Sequence, residues 1–446
     1  MSTINRTNHE MNQIIKKIQR YMALNHSRDL NSNHLDVPGI TNKIAKYVED
    51  ENLTLKGFTP QQLVDRAFQE MCEYSILTPY LKRDDIEEIN VNSWEDIKVR
   101  FNTGKIETLA ETFLSPTDAK DIMIRLLDRE SENKIDATVP IVRGHLFNNV
   151  RITASIAPVL DENRGVQASI RVINPSKLGQ EDFIRSCTLT NEMFELIKIC
   201  LFNGVSVCVT GATNSGKTTL MSGILKEVPA DQRLITIEEQ TREFDLIDKN
   251  PDGYINKEVI HWKTHGEFDM NKLLEMSLTC NPDIICAAEM KSKEAYAAQE
   301  AARTGHAVIA TTHANSCRAT YKRMVTLCKM AMDMDYEILL ELVTEAFPIV
   351  VFTKKLKDNT RRVMEITECF QDINGDVRIQ TLYQYVVLSS VVNAEGKTEM
   401  TGKFIKVNNI SEDLQNLLVS NGVPFENIEM LLREPIDQTT IRRGIS

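Results

Sequence analysis

The spacing of hydrophobic and polar positions changes along the chain and divides it into segments. In residues 1–80 the apolar positions recur at helical spacing, whereas residues 81–175 contain short alternating runs that predict strands around one helix at 117–132. From residue 191, short continuous apolar runs alternate with helical patterns, which is typical of a parallel sheet buried on both faces. We therefore predict an α/β protein with a helical region at 1–80, a mixed α/β domain at 81–175, a linker at 176–190, a second α/β domain at 191–370 and a C-terminal extension at 371–446.

The first segment contains an amphipathic helix with several basic residues and one acidic residue, Glu10. A basic amphipathic helix can lie on a membrane surface. A helix at a protein surface more often buries its apolar stripe in a core, and we favour this second interpretation. The stripe consists of Met11, Ile14, Ile15, Ile18, Tyr21 and Met22.

Composition excludes several classes of protein. The 446 residues are 42% hydrophobic, enough for the cores of about two to four domains. A net charge of −11 argues against bulk nucleic-acid binding, which needs a basic face. No apolar run reaches the ~18 residues of a membrane span, and the polar start predicts that there is no signal peptide. The nine cysteines lack CxxC spacing, so we expect reduced, mostly buried thiols rather than disulfides or a zinc site.

One motif has a specific chemical meaning. Residues 211–218, GATNSGKT, match GxxxxGK[ST] at each fixed position, after an apolar strand and before a helical run. The glycines let the backbone wrap around phosphate oxygens, and the helix N-terminus points N–H groups at them. We expect Lys217 to bridge the β- and γ-phosphates and Thr218 to hold Mg²⁺. The expected nucleotide-binding residues of the motif are Gly211, Ala212, Thr213, Asn214, Ser215, Gly216, Lys217, Thr218 and Thr219.

Polar side chains stand at the ends of three further predicted strands, at 234–237, 284–288 and 307–312. Glu238 and Glu239 follow the first of these strands, Glu289 follows the second and His313 follows the third. Because the carboxyl ends of parallel strands meet at one edge of a sheet, we expect these groups beside the loop. There the three carboxylates can position Mg²⁺ and water, and His313 can neutralise developing charge. Together with Lys217 they are the predicted catalytic residues.

A second histidine, His306, lies at the amino end of the strand that His313 follows. Seven extended residues span about 23 Å at ~3.3 Å per residue, so the two histidines cannot both reach one γ-phosphate. We therefore place His313 at the nucleotide. His306 is a candidate nucleotide contact, and a structural or intersubunit hydrogen bond is at least as good an interpretation.

Taken together, these segments resemble the secretion-ATPase superfamily that drives type II and type IV secretion and type IV pili. The family has a Walker A loop, an acidic "Asp box", a Walker B motif ending in Glu and a "His box". Their counterparts here are GATNSGKTT (211–219), ITIEEQTREF (235–244), NPDIICAAEMK (281–291) and TGHAVIATTHANS (304–316). The resemblance is closest to the branch that powers Tad (Flp) pilus assembly and related conjugation systems, and it covers about residues 60–435.

The resemblance implies a RecA-like P-loop ATPase domain preceded by a smaller, PAS-like mixed α/β domain. It also implies ATP and Mg²⁺ as cofactors, a homo-oligomer that is expected to be a hexamer, and an integral-membrane platform protein as partner. The expected location is cytoplasmic, peripheral to the inner face of the membrane, with no direct nucleic-acid contact.

In this family the N-terminal domain contributes arginines to the nucleotide. Arg151 and Arg171 occupy the matching strand positions. A guanidinium group suits phosphate through its bidentate fork. From the sequence alone, a solvated strand arginine is the commoner alternative.

Two landmarks depart from the family pattern. The acidic box has Glu238-Glu239 where Glu-Asp is common, and the Walker B motif reads Ala-Glu-Met-Lys where Gly-Glu-Val-Arg is usual. Lys291 keeps the positive charge of the arginine but loses its fork. We favour an ATP-driven motor, because Lys217 and Glu289 are intact. The alternatives are a nucleotide-gated assembly scaffold with little turnover and a conjugative DNA-transfer ATPase.

Overall fold

The structure is a computed structural model, and it describes residues 3–30, 36–81, 83, 85–131, 133–146, 150–172, 178–239, 243–247, 249–250, 252–372, 374–394 and 396–432. Contacts divide the chain into two compact units, Met1–Asn174 and Pro175–Ser446. This division is coarser than the one predicted from the sequence.

The first unit begins with a group of helices around an apolar core. The helices are α1 (Thr3–Asn25), α2 (Ser27–Leu30), α3 (Val37–Asp50), α4 (Pro60–Cys72) and α5 (Thr78–Leu81). Ile15, Ile18 and Met22 of α1 are completely buried and share this core with Ile44 of α3 and Leu63 of α4. The stripe of α1 therefore packs inside the protein, and this interpretation of the sequence is confirmed.

An antiparallel sheet forms the rest of the first unit. Its elements are β1 (Ile86–Ser93), β2 (Asp96–Phe101), β3 (Ile106–Thr108), α6 (Pro116–Glu130), β4 (Ile141–Leu146), β5 (Val150–Ser155) and β6 (Gln167–Val172). The strand order is β3-β2-β1-β6-β5-β4. In β5, Val150 and Ile152 are buried in a core shared with α6, whereas Arg151 between them is half-buried. Because strand side chains alternate, the opposite face of the sheet is polar.

The second unit contains a nine-stranded sheet with the order β15-β14-β13-β12-β7-β11-β10-β8-β9. The six strands from β12 to β9 in this order run parallel, and β13, β14 and β15 extend the sheet in antiparallel fashion. The elements are α7 (Gln180–Arg185), α8 (Asn191–Phe202), β7 (Val207–Gly211), α9 (Lys217–Leu225), β8 (Leu234–Glu238), β9 (Val259–Lys263), α10 (Met270–Ser277), β10 (Ile284–Ala287), α11 (Glu294–Arg303), β11 (Ala307–Thr312), α12 (Cys317–Cys328), α13 (Tyr336–Ala346), β12 (Ile349–Lys355), β13 (Arg361–Gln371), β14 (Val377–Val392), β15 (Thr398–Lys406), α14 (Glu412–Ser420) and α15 (Phe425–Leu432).

Strands β7, β8, β10 and β11 are buried at every position. Continuous apolar runs produce this pattern, because strands in the middle of a parallel sheet are covered by helices on both faces. Strands β8, β10 and β11 lie within one residue of their predicted bounds, and β7 is the strand predicted before the motif. Strand β9, with the sequence VIHWK, is only half-buried at the edge of the sheet, and no continuous apolar run marked it.

The predicted linker and C-terminal extension contribute to the core of the second unit. Helix α7 lies within 176–190, and its Phe183 is 3% exposed. A Cβ at Gly223 of α9 would lie 2.2 Å from the Phe183 ring, so the ring packs directly on the backbone of α9. Leu418 of α14 is fully buried in the same core. Apolar side chains in both segments therefore join them to the P-loop domain.

The cysteines have the surroundings that the composition predicted. The nine cysteines are free thiols and seven of them are buried, as expected. Burial raises the pKa of Cys208 to about 12, which keeps it a neutral thiol. Within the described ranges, no helix has both the length and the apolar character that crossing a membrane requires.

The buried position of α1 predicts a stability effect. Ile18→Ala should lower the unfolding free energy by about 2–4 kcal/mol, because it leaves a cavity in the helical core. Lys17→Ala, on the exposed face of the same helix, should change it by less than about 0.5 kcal/mol. Scanning calorimetry measures the unfolding free energy of both variants. Sedimentation with lipid vesicles measures whether either variant has lost membrane binding. Unchanged stability of Ile18→Ala combined with lost vesicle binding would support the membrane-surface interpretation instead.

Candidate nucleotide-binding site

The loop between β7 and α9 has a backbone that only certain residues adopt easily. Gly211, Asn214 and Gly216 have φ angles of +151°, +64° and +96°. Such angles favour glycine and, less strongly, asparagine. A Cβ at Gly211 would lie 2.3 Å from the carbonyl oxygen of Thr353, so the loop begins in direct contact with β12. The first helical residue of α9 is Lys217, which places the motif at the start of a helix as predicted.

Two residues that the sequence analysis missed hold this loop in place. The hydroxyls of Ser215 and Thr353 lie 2.9 Å apart, and Thr353 donates to the carbonyl of Thr210 at 3.1 Å. Arg361 of β13 donates from Nε to the carbonyl of Asn214 at 3.2 Å and from Nη2 to its Oδ1 at 2.8 Å. This fork fixes Asn214 in its left-handed conformation. No local pattern reveals a contact between residues 147 positions apart.

Lys217 lies back over the loop. Its Nζ donates to the carbonyl oxygens of Gly211 and Ala212, both at 3.0 Å, and lies 3.4 Å from Nδ1 of His313. An ammonium group only donates, so Nδ1 of His313 accepts and its proton is on Nε2. A phosphate oxygen is a better acceptor than these carbonyls because it is charged. The ammonium is therefore available to bind a phosphate at the mouth of the loop.

The predicted strand-end groups meet beside Lys217. Nε2 of His313 lies 2.8 Å from Oε1 of Glu289. Nζ of Lys291 lies 3.0 Å from Oε2 of Glu289 and 2.8 Å from Oε1 of Glu239. Burial disfavours the charge of Lys291, but hydrogen bonds and attraction from the two carboxylates outweigh it and raise its pKa. A continuous line of contacts thus runs from Lys217 through His313, Glu289 and Lys291 to Glu239, which we call the contact line.

Glu238 has a different environment from its neighbour in sequence. It is fully buried, and its Oε2 accepts hydrogen bonds from the backbone N–H groups of Glu243 and, at 3.1 Å, Phe244. Its Oε1 lies 3.5 Å from Nδ1 of His261. In this conformation Glu238 fixes the chain that follows β8, and its role as a Mg²⁺ ligand stays a prediction.

His306 is separated from the loop by the length of β11. Its Nδ1 lies 3.1 Å from the carbonyl oxygen of Pro282, and β11 begins one residue later at Ala307. His313 follows the other end of the same strand. Within the second unit His306 therefore does not join the contact line, and its predicted nucleotide contact remains a prediction.

Arg151 and Arg171 belong to the first unit, where they stand directly opposite each other on β5 and β6. The next residue across the sheet from Arg171 is Glu88 of β1, whose Oε2 lies 3.6 Å from Nε of Arg100. The row of opposed positions therefore contains two arginines and one glutamate. The contact of Arg151 and Arg171 with a nucleotide stays a prediction.

A magnesium ion that arrives with a nucleotide needs few oxygen donors from the protein. Among the residues that the structure describes, no three His, Cys, Asp or Glu side chains are arranged to hold a metal ion. Mg²⁺ commonly takes one or two protein oxygens, with phosphate oxygens and water completing its shell. The hydroxyl of Thr218, the second residue of α9, together with Glu239 or Glu289 could supply that number.

Comparison with known proteins identifies the family. Residues 83–422 match the family model described as "Type II/IV secretion system protein". The chain belongs to this family. The match spans the loop and each of the strand-end motifs, and it confirms the secretion-ATPase superfamily predicted from them.

Two relatives and one solved structure illustrate the similarity. The "Probable conjugal transfer protein TrbB" of Sinorhizobium fredii is 24% identical over 267 residues, which are 59% of this chain and 78% of the relative. The "Type IV secretion system protein VirB11" of Brucella suis is 34% identical over 179 residues, which are 38% of this chain and 47% of the relative. The structure of the Legionella pneumophila ATPase DotB covers 79% of this chain and 85% of its own, with 18% identity and a TM-score of 0.48.

The geometry of the loop predicts the effect of removing its cation. Lys217→Ala should raise the dissociation constant for Mg·ATP roughly 100-fold, because about 3 kcal/mol of charge-assisted hydrogen bonding is lost. Isothermal calorimetry measures this constant. The exposed Lys322 of α12 provides a matched control, and Lys322→Ala should bind as the wild type does. Equal affinity of the Lys217→Ala variant and the wild type would contradict the assignment of the loop.

Proposed function

We propose that this protein is an ATP-hydrolysing motor of a secretion, pilus-assembly or conjugation system. The observation that carries the proposal is the contact of Lys217 with His313 and of His313 with Glu289. These contacts connect the phosphate-binding cation to a carboxylate that can act on water. Membership of the type II/IV secretion family supports the same conclusion.

Each group has a distinct task in this proposal. Lys217 and the backbone N–H groups at the start of α9 bind the β- and γ-phosphates. A magnesium ion held by Thr218 and a carboxylate would neutralise charge on the transferring phosphoryl group. Glu289 orients or deprotonates the attacking water, and the Nε2–H of His313 holds the Glu289 carboxylate.

The proposal extends to the assembly. We assign the second unit to the RecA-like P-loop class and the sheet of the first unit to the PAS-like class. Six copies would form a ring at the cytoplasmic face of the membrane and act on an integral-membrane platform protein. In that ring Arg151 and Arg171 would close onto the nucleotide. His306 would form a hydrogen bond to a neighbouring copy of the chain. The motif resemblance supports the Tad (Flp) branch.

One observation favours the scaffold with little turnover as a second candidate. Lys291 pairs with both Glu289 and Glu239. This pairing occupies one oxygen of the carboxylate that acts on water in the motor. A DNA-transfer role has support from the conjugal-transfer relative, whereas the net charge of −11 opposes direct contact with DNA.

Glu289→Gln separates binding from hydrolysis. The variant should bind Mg·ATP within about threefold of wild type and lose about 100-fold or more of the turnover, because an amide cannot act as a general base. Calorimetry and steady-state phosphate release are the measurements. Wild-type turnover in the variant would contradict the role of Glu289. Tight binding with negligible turnover in the wild type would favour the scaffold.

The arginine pair tests whether the first unit contributes to the site. Arg151→Ala and Arg171→Ala should each lower ATPase activity at least about tenfold, while nucleotide binding weakens by only about 1–3 kcal/mol. The exposed Arg164 lies in a turn of the same unit, and Arg164→Ala is the control that should remain fully active. Circular dichroism checks folding. Full activity in the Arg151→Ala/Arg171→Ala double variant would rule out a contribution from the first unit.

A further inference from the structure

Lys291 lies between two carboxylates that come from different strands. Glu239 directly follows β8, whereas Glu289 and Lys291 follow β10. The Nζ atom of Lys291 is 2.8 Å from one and 3.0 Å from the other. The three side chains are 25–39% exposed, so the ion pairs are neither fully solvated nor fully buried.

Glu289 is held at both of its carboxylate oxygens. His313 contacts Oε1 at 2.8 Å, and Lys291 contacts Oε2 at 3.0 Å. Two contacts fix the plane of the carboxylate, whereas a single contact leaves the broad terminal torsion of glutamate free to rotate. Each oxygen keeps a second lone pair, so a water molecule can still donate to the fixed group. The two contacts therefore determine where that water sits.

The contact through His313 depends on Lys217. The ammonium of Lys217 lies 3.4 Å from Nδ1 of His313 and also bonds to the loop carbonyls. A bound phosphate competes with the loop carbonyls and with His313 for this ammonium. The contact of Lys291 with Glu289 does not involve the loop, so a phosphate on Lys217 does not compete for it.

We propose that Lys291 is a positioning residue that holds Glu289 at the water-activating position, and that Glu239 acts through Lys291. The inference rests on the proposed ATPase function and names a residue on which turnover depends. A lysine has a single charged nitrogen on a flexible stem, so it needs a second anchor, and Glu239 provides it. An arginine at this position could reach both carboxylates with its fork.

Steady-state kinetics of four variants tests the proposal. Lys291→Met should lower kcat about tenfold and leave KM and the dissociation constant of Mg·ATP within about threefold, because positioning acts on the chemical step. Lys291→Arg should stay within about threefold of wild type in kcat. Glu239→Gln should lower kcat, and the double variant Glu239→Gln/Lys291→Met should be no slower than Lys291→Met alone, because both changes remove one interaction. Wild-type kcat in Lys291→Met, or independent effects that multiply in the double variant, would overturn the proposal.

A matched control variant and a structural measurement distinguish a failure of the proposed ATPase function from a failure of the proposed role of Lys291. Lys293 lies two residues away and pairs with Asp269 at 3.1 Å, so Lys293→Met removes an equivalent charge outside the contact line and should leave kcat unchanged. A wild type without turnover would contradict the ATPase function. Crystal structures of the wild type and Lys291→Met with Mg·ADP then still decide the role of Lys291. A displaced or doubly positioned Glu289 carboxylate in the variant is the expected result, and an unchanged carboxylate would overturn the role.

Discussion

The close contact between Gly211 and the backbone of Thr353 is the constraint on which the site depends. It seats the start of the phosphate-binding loop on β12, and the hydroxyls of Ser215 and Thr353 continue the attachment. Arg361 of β13 donates to the carbonyl and to the side-chain oxygen of Asn214 in the same loop. The loop is therefore held by two neighbouring strands before any ligand binds. A binding site that already has its bound shape loses less conformational entropy when the ligand binds, so the affinity is higher.

The contact line has a balanced charge. The two lysines each carry +1, the two glutamates each carry −1, and the tautomer of His313 required by Lys217 is neutral. Such a balance reduces the cost of gathering ionisable groups at a half-buried edge. A nucleotide with its magnesium ion adds net negative charge, and Lys217 is the group best placed to respond. Nucleotide binding would therefore change the charge balance of the contact line.

The sequence predicted the buried strands of the parallel sheet and the motif, because a buried parallel strand and a phosphate-binding loop both have strong local patterns. It also placed Glu239, Glu289 and His313 at one edge of the sheet. It could not separate the roles of Glu238 and Glu239. Neighbouring side chains at a strand end point in opposite directions, and only the surroundings determine which one faces the site.

Thr353, Arg361 and the bridging position of Lys291 were also beyond the sequence analysis. Each depends on contacts between segments distant in the chain, such as the 147 positions that separate Arg361 from Asn214. The finer domain boundaries were difficult for a related reason. Composition marked residues 176–190 as a linker because of Pro175, Gly179 and mixed charge, whereas one buried phenylalanine ties the segment to the core.

The packing of Phe183 on Gly223 also has a consequence for how this module can be exchanged between proteins. A P-loop domain cut at residue 191 would leave the α9 backbone uncovered at the place where the ring now lies. Recombination that moves this domain to a new N-terminal partner therefore has to include α7. The boundary at which such a domain can be exchanged lies before Gln180, between Asn174 and Pro175, where the first unit ends and the second begins.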